Sequence, residues 1–161
     1  MTETTGLAVE PGIPQLKGSR AFDAPPELVF RAWTDPELVV QWLGPRRLKM
    51  RVEEWDPRHG GRWRYVHIDE DGSEYGFRGI FHGTPTVDGV VQTFEFEGAP
   101  GHVQLDTVSF EQVGDATLAH FNTVFQTVEA RDAMLEHGME QGWTESLERL
   151  DELLASMKTN V

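Results

Sequence analysis

One amphipathic pattern runs through residues 135–157, LEHGMEQGWTESLERLDELLASM. Its apolar positions are separated by three or four residues throughout: Leu135, Met139, Trp143, Leu147, Leu150, Leu154 and Met157. At about 100° per residue these side chains share one face of a helix, and most acidic residues fall outside that face. The pattern predicts one long helix from just after Gln126 to about Met157, which at about 1.5 Å per residue can cross a whole sheet.

The chain between Leu48 and Phe125 has a different character. Short apolar runs alternate there with turns rich in glycine and aspartate, which is typical of β-hairpins in series. The runs predict six strands: Leu48–Trp55, Arg62–Ile68, Tyr75–Thr84, Val90–Phe96, Val103–Gln112 and Thr117–Phe125. Together with an earlier strand at Leu16–Phe22, they predict an antiparallel meander of about seven strands.

Two short helices are predicted after the first strand. Residues 23–27, DAPPE, place proline in a first helical turn and an acidic group at the positive end of the helix dipole. The same start signal recurs at residues 34–37, TDPE, and Gly44-Pro45 ends the second helix. This order of elements predicts an α+β fold in which the sheet curves around the long C-terminal helix, because each has one apolar face to bury.

The composition limits the partners and the chemistry. A chain of 161 residues suits one domain, and its net charge of −13 disfavours nucleic acid as a partner because both are anionic. The absence of cysteine excludes disulfides, thiolate metal sites and a cysteine nucleophile. No stretch approaches the roughly 18 apolar residues of a membrane span, and no secretory signal is recognisable, so we expect no membrane span and a cytoplasmic location.

Several motifs resemble, in the same order, those of one known family. Residues 22–37, FDAPPELVFRAWTDPE, and 41–45, QWLGP, resemble the opening of the activator of heat-shock-protein-90 ATPase homologue (AHSA-type) family, a branch of the START-like (SRPBCC) superfamily. Residues 56–61, DPRHGG, are similar to its aspartate–arginine–diglycine hairpin. Residues 129–132, EARD, and 138–143, GMEQGW, are similar to the start of its closing helix.

The resemblance covers nearly the whole chain and implies a helix-grip fold. We expect a flexible leader at residues 1–14 and a single START-like domain at residues 15–158. In such a domain a cavity lies between the curved sheet and the C-terminal helix. The resemblance therefore implies binding of a small hydrophobic ligand, such as a lipid, without assigned catalysis and without a cofactor.

The residues expected to line this cavity are mostly aromatic. Trp63, Tyr65 and His67 alternate along one predicted strand and therefore share a face. On the last strand, the family pattern implies that Phe121 points inward and His120 outward. The complete predicted lining is Trp33, Trp42, Trp63, Tyr65, His67, Phe77, Phe81, Phe94, Phe121, Met139, Gly142, Trp143 and Leu147.

Two glycines, Gly138 and Gly142, lie near the apolar face of the predicted long helix. Each costs about 1 kcal/mol relative to alanine inside a helix, so a reason for their presence is needed. They either leave space for a ligand beneath the helix or allow close packing of the helix against the sheet. The sequence leaves both readings open.

The six histidines do not show the spacing of a metal site, and we expect no metal. Hydrolase elbows, phosphate-binding loops and dinucleotide fingerprints are also missing from the sequence. If one histidine is catalytic, the candidates are His67 and His120. Three functions stay open: a non-catalytic binder of a small apolar molecule, a cyclase- or hydrolase-like enzyme acting on such a molecule, and a chaperone-associated or stress-response interaction protein. Homodimerisation through an open sheet edge also stays open.

Overall fold

The computed structural model describes residues 7–159. Its main element is one antiparallel sheet that curves around the C-terminal helix, as the sequence predicted. The strands are β1 (Ala8–Val9), β2 (Gln15–Phe22), β3 (Lys49–Trp55), β4 (Arg62–Ile68), β5 (Glu74–Ile80), β6 (Gly89–Phe96), β7 (Val103–Val113) and β8 (Ala116–Val124). They lie side by side in the order β1-β2-β8-β7-β6-β5-β4-β3.

The strands from β3 to β8 form a meander in which each strand pairs with the next. Strand β2 is added at the far side, where it pairs with β8 from Gln15 opposite Val124 to Phe22 opposite Thr117. The connection between β2 and β3 therefore spans the sheet, and it contains two helices, α1 (Pro26–Thr34) and α2 (Pro36–Val39). This connection covers part of the inner face of the sheet.

Both short helices begin where the sequence predicted. Helix α1 has proline at its first position and Glu27 in its first turn. Helix α2 also begins at a proline, and the Asp35 side chain accepts a hydrogen bond of 3.0 Å from the backbone N–H of Glu37. Such a cap satisfies a backbone donor that the helix itself leaves unpaired.

The sheet has eight strands rather than about seven, and the additional one lies in the expected leader. Ala8 pairs with Lys17 and Val9 with Leu16, so β1 covers the beginning of the outer edge of β2. The buried Arg131 side chain also ties this segment down, with Nη1 donating to the carbonyl of Glu10 at 2.7 Å. The described part of the predicted leader is therefore attached to the domain, whereas residues 1–6 lie outside the described residues.

The C-terminal helix is broken, which corrects the prediction of one continuous helix. Helix α3 (Val128–Glu136) ends before α4 (Met139–Thr159), and Gly138 between them has φ +80°. This left-handed conformation commonly ends helices and strongly favours glycine. The four-residue spacing from Leu135 to Met139 hides the break in the sequence pattern.

A compact core lies between the sheet, α1 and the later part of α4. Its fully covered members include Phe22, Val29, Trp42, Leu150 and Leu154. Strand β2 and α4 are also joined by an ion pair of 2.6 Å between the buried Arg20 and Asp151. None of the helices within residues 7–159 is both long and apolar enough to cross a membrane.

Candidate ligand-binding site

A cavity of about 600 Å³ lies between the inner face of the sheet and the helical layer. Strands β4 to β8 supply most of one wall. Helix α1, the loop between α2 and β3, and the first turns of α4 supply the other. The cavity therefore lies beside the core described above, under the beginning of α4.

Aromatic rings cover the sheet wall of the cavity. The Tyr65 ring is stacked 5.2 Å from Trp63 and 5.2 Å from Phe77, and Phe77 lies 5.4 Å from Phe94. Gly79 makes room for this arrangement, since a Cβ atom there would come within 2.6 Å of the Trp63 ring. A continuous apolar surface results.

A second aromatic group lies where the helices meet strand β8. Trp33 is 4.8 Å from Trp42 and 6.0 Å from Phe121, and Phe121 meets the edge of Trp143 at 5.3 Å. The indole N–H of Trp42 donates a hydrogen bond of 2.8 Å to the carbonyl of Ala32, which fixes that ring against α1. Helix α1, strand β8 and helix α4, which are distant in sequence, thus border the same cavity.

Most of the residues predicted from the sequence line this cavity. They are Trp33, Trp42, Trp63, Tyr65, His67, Phe77, Phe94, Phe121, Met139, Gly142 and Trp143. Phe81 and Leu147, which were also predicted, are not among the residues that border it. Phe81 is 1% exposed and packs edge-on against Trp55 at 5.6 Å, while Leu147 is 3% exposed. Both residues therefore belong to the packed core beside the cavity.

Strand β8 alternates as the family resemblance implied. Phe121 and Thr123 line the cavity, whereas His120 is exposed on the other face. There the Nε2 atom of His120 lies 2.9 Å from a carboxylate oxygen of Glu111. His120 therefore cannot act on a molecule held inside the cavity.

The two helix glycines have different structural roles. Gly138 adopts the left-handed conformation that separates α3 from α4. Gly142 lies within α4, and a Cβ atom built on it would meet no other atom within 4 Å. Since Gly142 also lines the cavity, it leaves open space beneath the helix rather than allowing close packing on the sheet.

One carboxylate lies on the mainly apolar sheet wall. The Oδ1 atom of Asp106 accepts hydrogen bonds of 3.0 Å from the side-chain amide of Gln104 and 3.0 Å from the hydroxyl of Thr123. All three residues line the cavity, together with Gln92. They form a small polar area on an apolar surface, the usual composition of a pocket that orients its ligand.

Burial changes the acidity of this group. Removal from bulk water raises the pKa of Asp106 to about 6, although the two hydrogen bonds oppose the rise. Burial, together with the nearby negative charge of Asp106, also raises the pKa of the Tyr65 hydroxyl. The Asp106 carboxyl group therefore titrates close to neutral pH, whereas the Tyr65 phenol stays protonated.

His67 is buried at the edge of the cavity and makes few polar contacts. Burial lowers its pKa to about 4, against the opposing effect of a hydrogen bond with the Leu43 backbone. Its Nε2 atom has no hydrogen-bond partner among the described residues and packs against Gly44, where a Cβ atom would come within 2.7 Å. His67 is therefore neutral at physiological pH.

The cavity reaches solvent between two loops. Of the residues that line it, Arg47, His137, Gly138 and Gln141 are exposed, which places the opening between the α2–β3 loop and the α3–α4 break. Helix α4 holds the first of these loops. The Gly44 N–H donates to the Ser146 hydroxyl at 2.7 Å, and the Arg149 guanidinium donates to the Gly44 carbonyl at 2.8 Å.

Comparison with known proteins assigns the chain to a family. The sequence model for activator of Hsp90 ATPase homolog 1-like proteins matches residues 23–155. The chain belongs to this family. No curated protein matches the chain significantly.

Solved structures similar to this member of the activator-of-Hsp90-ATPase family cover almost its whole length. A crystal structure of a Rhodobacter sphaeroides protein is 26% identical, covers 97% of this chain and 99% of its own, and has a TM-score of 0.85. A solution structure from Arthrobacter aurescens is 24% identical with a TM-score of 0.88, covering 96% and 93% of the two chains. The AHSA1 protein of Silicibacter pomeroyi is 24% identical with a TM-score of 0.72, covering 89% and 99%.

Sequence reasoning within this family missed the polar part of the cavity. Val108 and Phe110 are buried, so alternation along β7 places Gln104 and Asp106 on the same inner face. Two polar residues at inward positions of a strand were the available signal. Among residues 7–159, no group of three or more histidines and carboxylates is arranged to hold a metal ion.

Proposed function

We propose that this protein binds a small, largely apolar molecule between its sheet and the beginning of α4. The observation that supports this proposal is the cavity of about 600 Å³ with aromatic walls. Ligand pockets in proteins commonly measure about 300–1,000 Å³ and have mainly apolar walls with a few polar groups. An apolar void of this size is costly in a protein that does not use it, because the walls lose van der Waals contacts.

The open space below Gly142 gives a direct test of this proposal. Replacing Gly142 with leucine adds a side chain that projects into the cavity without a clash of its Cβ atom with the fold. The helix keeps its hydrogen bonds, and leucine has the higher helix propensity. The variant should therefore fold while part of the binding space is filled.

The experiment uses the neutral fluorescent probe N-phenyl-1-naphthylamine. We expect saturable binding to the unmodified protein and at least about tenfold weaker binding to Gly142→Leu, equivalent to a loss of about 1.4 kcal/mol. The matched control is Thr144→Leu, which adds the same side chain at an exposed position of α4 outside the cavity. Absence of saturable binding, or equal binding by both variants, would contradict the proposal.

The environment of Asp106 favours a second candidate function, catalysis on the bound molecule. A carboxyl group with a pKa of about 6 can donate or accept a proton near neutral pH. The test is to incubate each compound found to bind with the unmodified protein and with Asp106→Asn, and to analyse the products by mass spectrometry. Product that forms only with the unmodified protein would support catalysis, whereas unchanged compounds in both samples would contradict it.

A further inference from the structure

A row of polar side chains crosses three strands at one level of the cavity. Gln92 on β6 is paired with Asp106 on β7, which is in turn paired with Thr123 on β8. The row ends at apolar residues on both sides, Leu16 on β2 and Phe81 next to β6. The polar area is therefore confined to the middle of the sheet wall.

The carboxylate in this row has one free oxygen. Both hydrogen bonds that Asp106 accepts from the described residues end on Oδ1, and both come from neutral groups. Among residues 7–159, no hydrogen bond is found to Oδ2. An ionised carboxylate in a poorly hydrated place is stabilised by a further donor, so this oxygen is an unused acceptor.

Two other partly buried carboxylates in this protein are paired with arginine. Glu97 lies 2.7 Å from the guanidinium of Arg64, and Asp151 lies 2.6 Å from that of Arg20. Asp106 has no such partner among the described residues. The cationic side chain of the cavity lining, Arg47, is at the opening and exposed to solvent.

We propose that Asp106 binds a hydrogen-bond donor of the ligand, a hydroxyl or an amine carried by a flat apolar ring system. This inference rests on the proposed function, because it needs a ligand in the cavity. The stacked rings of Trp63, Tyr65 and Phe77 line the same cavity and offer flat surfaces that suit such a skeleton. A ligand that presents a carboxylate to Asp106 is disfavoured, since two like charges would meet in a poorly hydrated place.

The test measures binding of four matched fluorescent compounds: pyrene, 1-pyrenemethanol, 1-pyrenemethylamine and 1-pyrenecarboxylic acid. Titrations are carried out at about pH 8, where a group with a pKa of about 6 is ionised. A hydrogen bond to a charged group typically strengthens binding about tenfold or more. We expect the alcohol and the amine to bind more tightly than pyrene by this factor, and the acid to bind more weakly than the alcohol.

The variant Asp106→Asn distinguishes the contribution of the Asp106 carboxylate to binding from that of the apolar cavity walls. Asparagine has the same shape and keeps an acceptor for Gln104 and Thr123, but presents an N–H₂ group in place of one carboxylate oxygen. We expect it to lose the preference for the alcohol and the amine over pyrene, while its affinity for pyrene itself is unchanged. The control Asp115→Asn removes the same charge in an exposed turn and should retain the preference.

The outcomes distinguish this inference from the proposed function. If none of the four compounds binds, the proposed function fails together with the inference. If pyrene binds but the alcohol and amine bind no more tightly, or their preference persists in Asp106→Asn, only the inference is wrong. In the unmodified protein, the alcohol and the amine are each compared with pyrene. The compound with the larger gain in affinity shows whether Asp106 prefers a neutral hydroxyl or an amine as the donor. Circular dichroism of each variant checks that it is folded.

Discussion

The two parts of α4 cover the same sheet in different ways. Beyond Ser146 the helix contributes buried leucines to a filled core, namely Leu147, Leu150, Leu153 and Leu154. In its first turns, Met139, Gly142 and Trp143 instead border an open cavity. One apolar stripe therefore both stabilises the fold and forms the wall of a binding space. The comparison shows that a helical stripe identifies an inward face but does not tell whether the opposite space is filled.

Truncation of a core leucine should produce the largest effect. Leu150→Ala removes a side chain that is 0% exposed, and we expect unfolding free energy to fall by about 3–4 kcal/mol because transfer and cavity terms add. The matched change over the cavity, Met139→Ala, should cost less than about 1 kcal/mol, because Met139 is only partly buried and borders the cavity. Urea denaturation measures both, and equal losses would contradict the division of α4 into two parts.

The charge of Asp106, which lines the cavity, should lower the free energy of unfolding at neutral pH. Its folded-state pKa of about 6 lies above the reference value of 3.8, so the folded state binds more protons between these values. Its contribution to stability is therefore present near pH 4 and is lost as pH rises through about 6. We expect Asp106→Asn to be more stable than the unmodified protein by about 3 kcal/mol at pH 7 and by less than about 1 kcal/mol near pH 4.

Urea denaturation at several pH values checks this expectation. Asp115→Asn is the reference, because it changes the same charge at an exposed turn and should not alter the pH profile. A stability difference for Asp106→Asn that does not change between pH 4 and pH 7 would show that burial of the carboxylate is not its cause.

Alanine at the two helix glycines should produce the smallest effects, with opposite signs. Gly142→Ala should stabilise the protein by about 1 kcal/mol, since the helix gains propensity and the added methyl group meets only open space. Gly138→Ala should destabilise it by about 1 kcal/mol, because alanine is strained at φ +80°. Thermal unfolding measures both changes. A loss of stability in both variants would indicate that the space under Gly142 is closed in solution.

The fold was predictable because its signals are local. Periodicity identified α4, hairpin turns separated the strands, and the prolines at the starts of α1 and α2 located both helices. The break at Gly138 was missed because the apolar spacing continues across it. A glycine in a helical stripe does not reveal its φ angle.

The cavity was less predictable because it depends on distant contacts. Phe81 and Phe94 have the same inward pattern, yet Phe81 is covered by Trp55 while Phe94 lines the void. The neighbours that each residue meets across the fold decide between the two, and no local pattern encodes those neighbours. Asp106 was missed for another reason: an acidic residue is uninformative in a chain with 27 of them until its place on an inner strand face is known.

The position of the opening has a consequence for exchange with solvent. A molecule that enters between the loop at Arg47 and the joint at Gly138 passes two chain connections and not the leucine-packed length of α4. The ligand can then enter and leave the cavity while the leucine-packed part of α4 stays in contact with the sheet. The rate of exchange should therefore be independent of the rate of global unfolding.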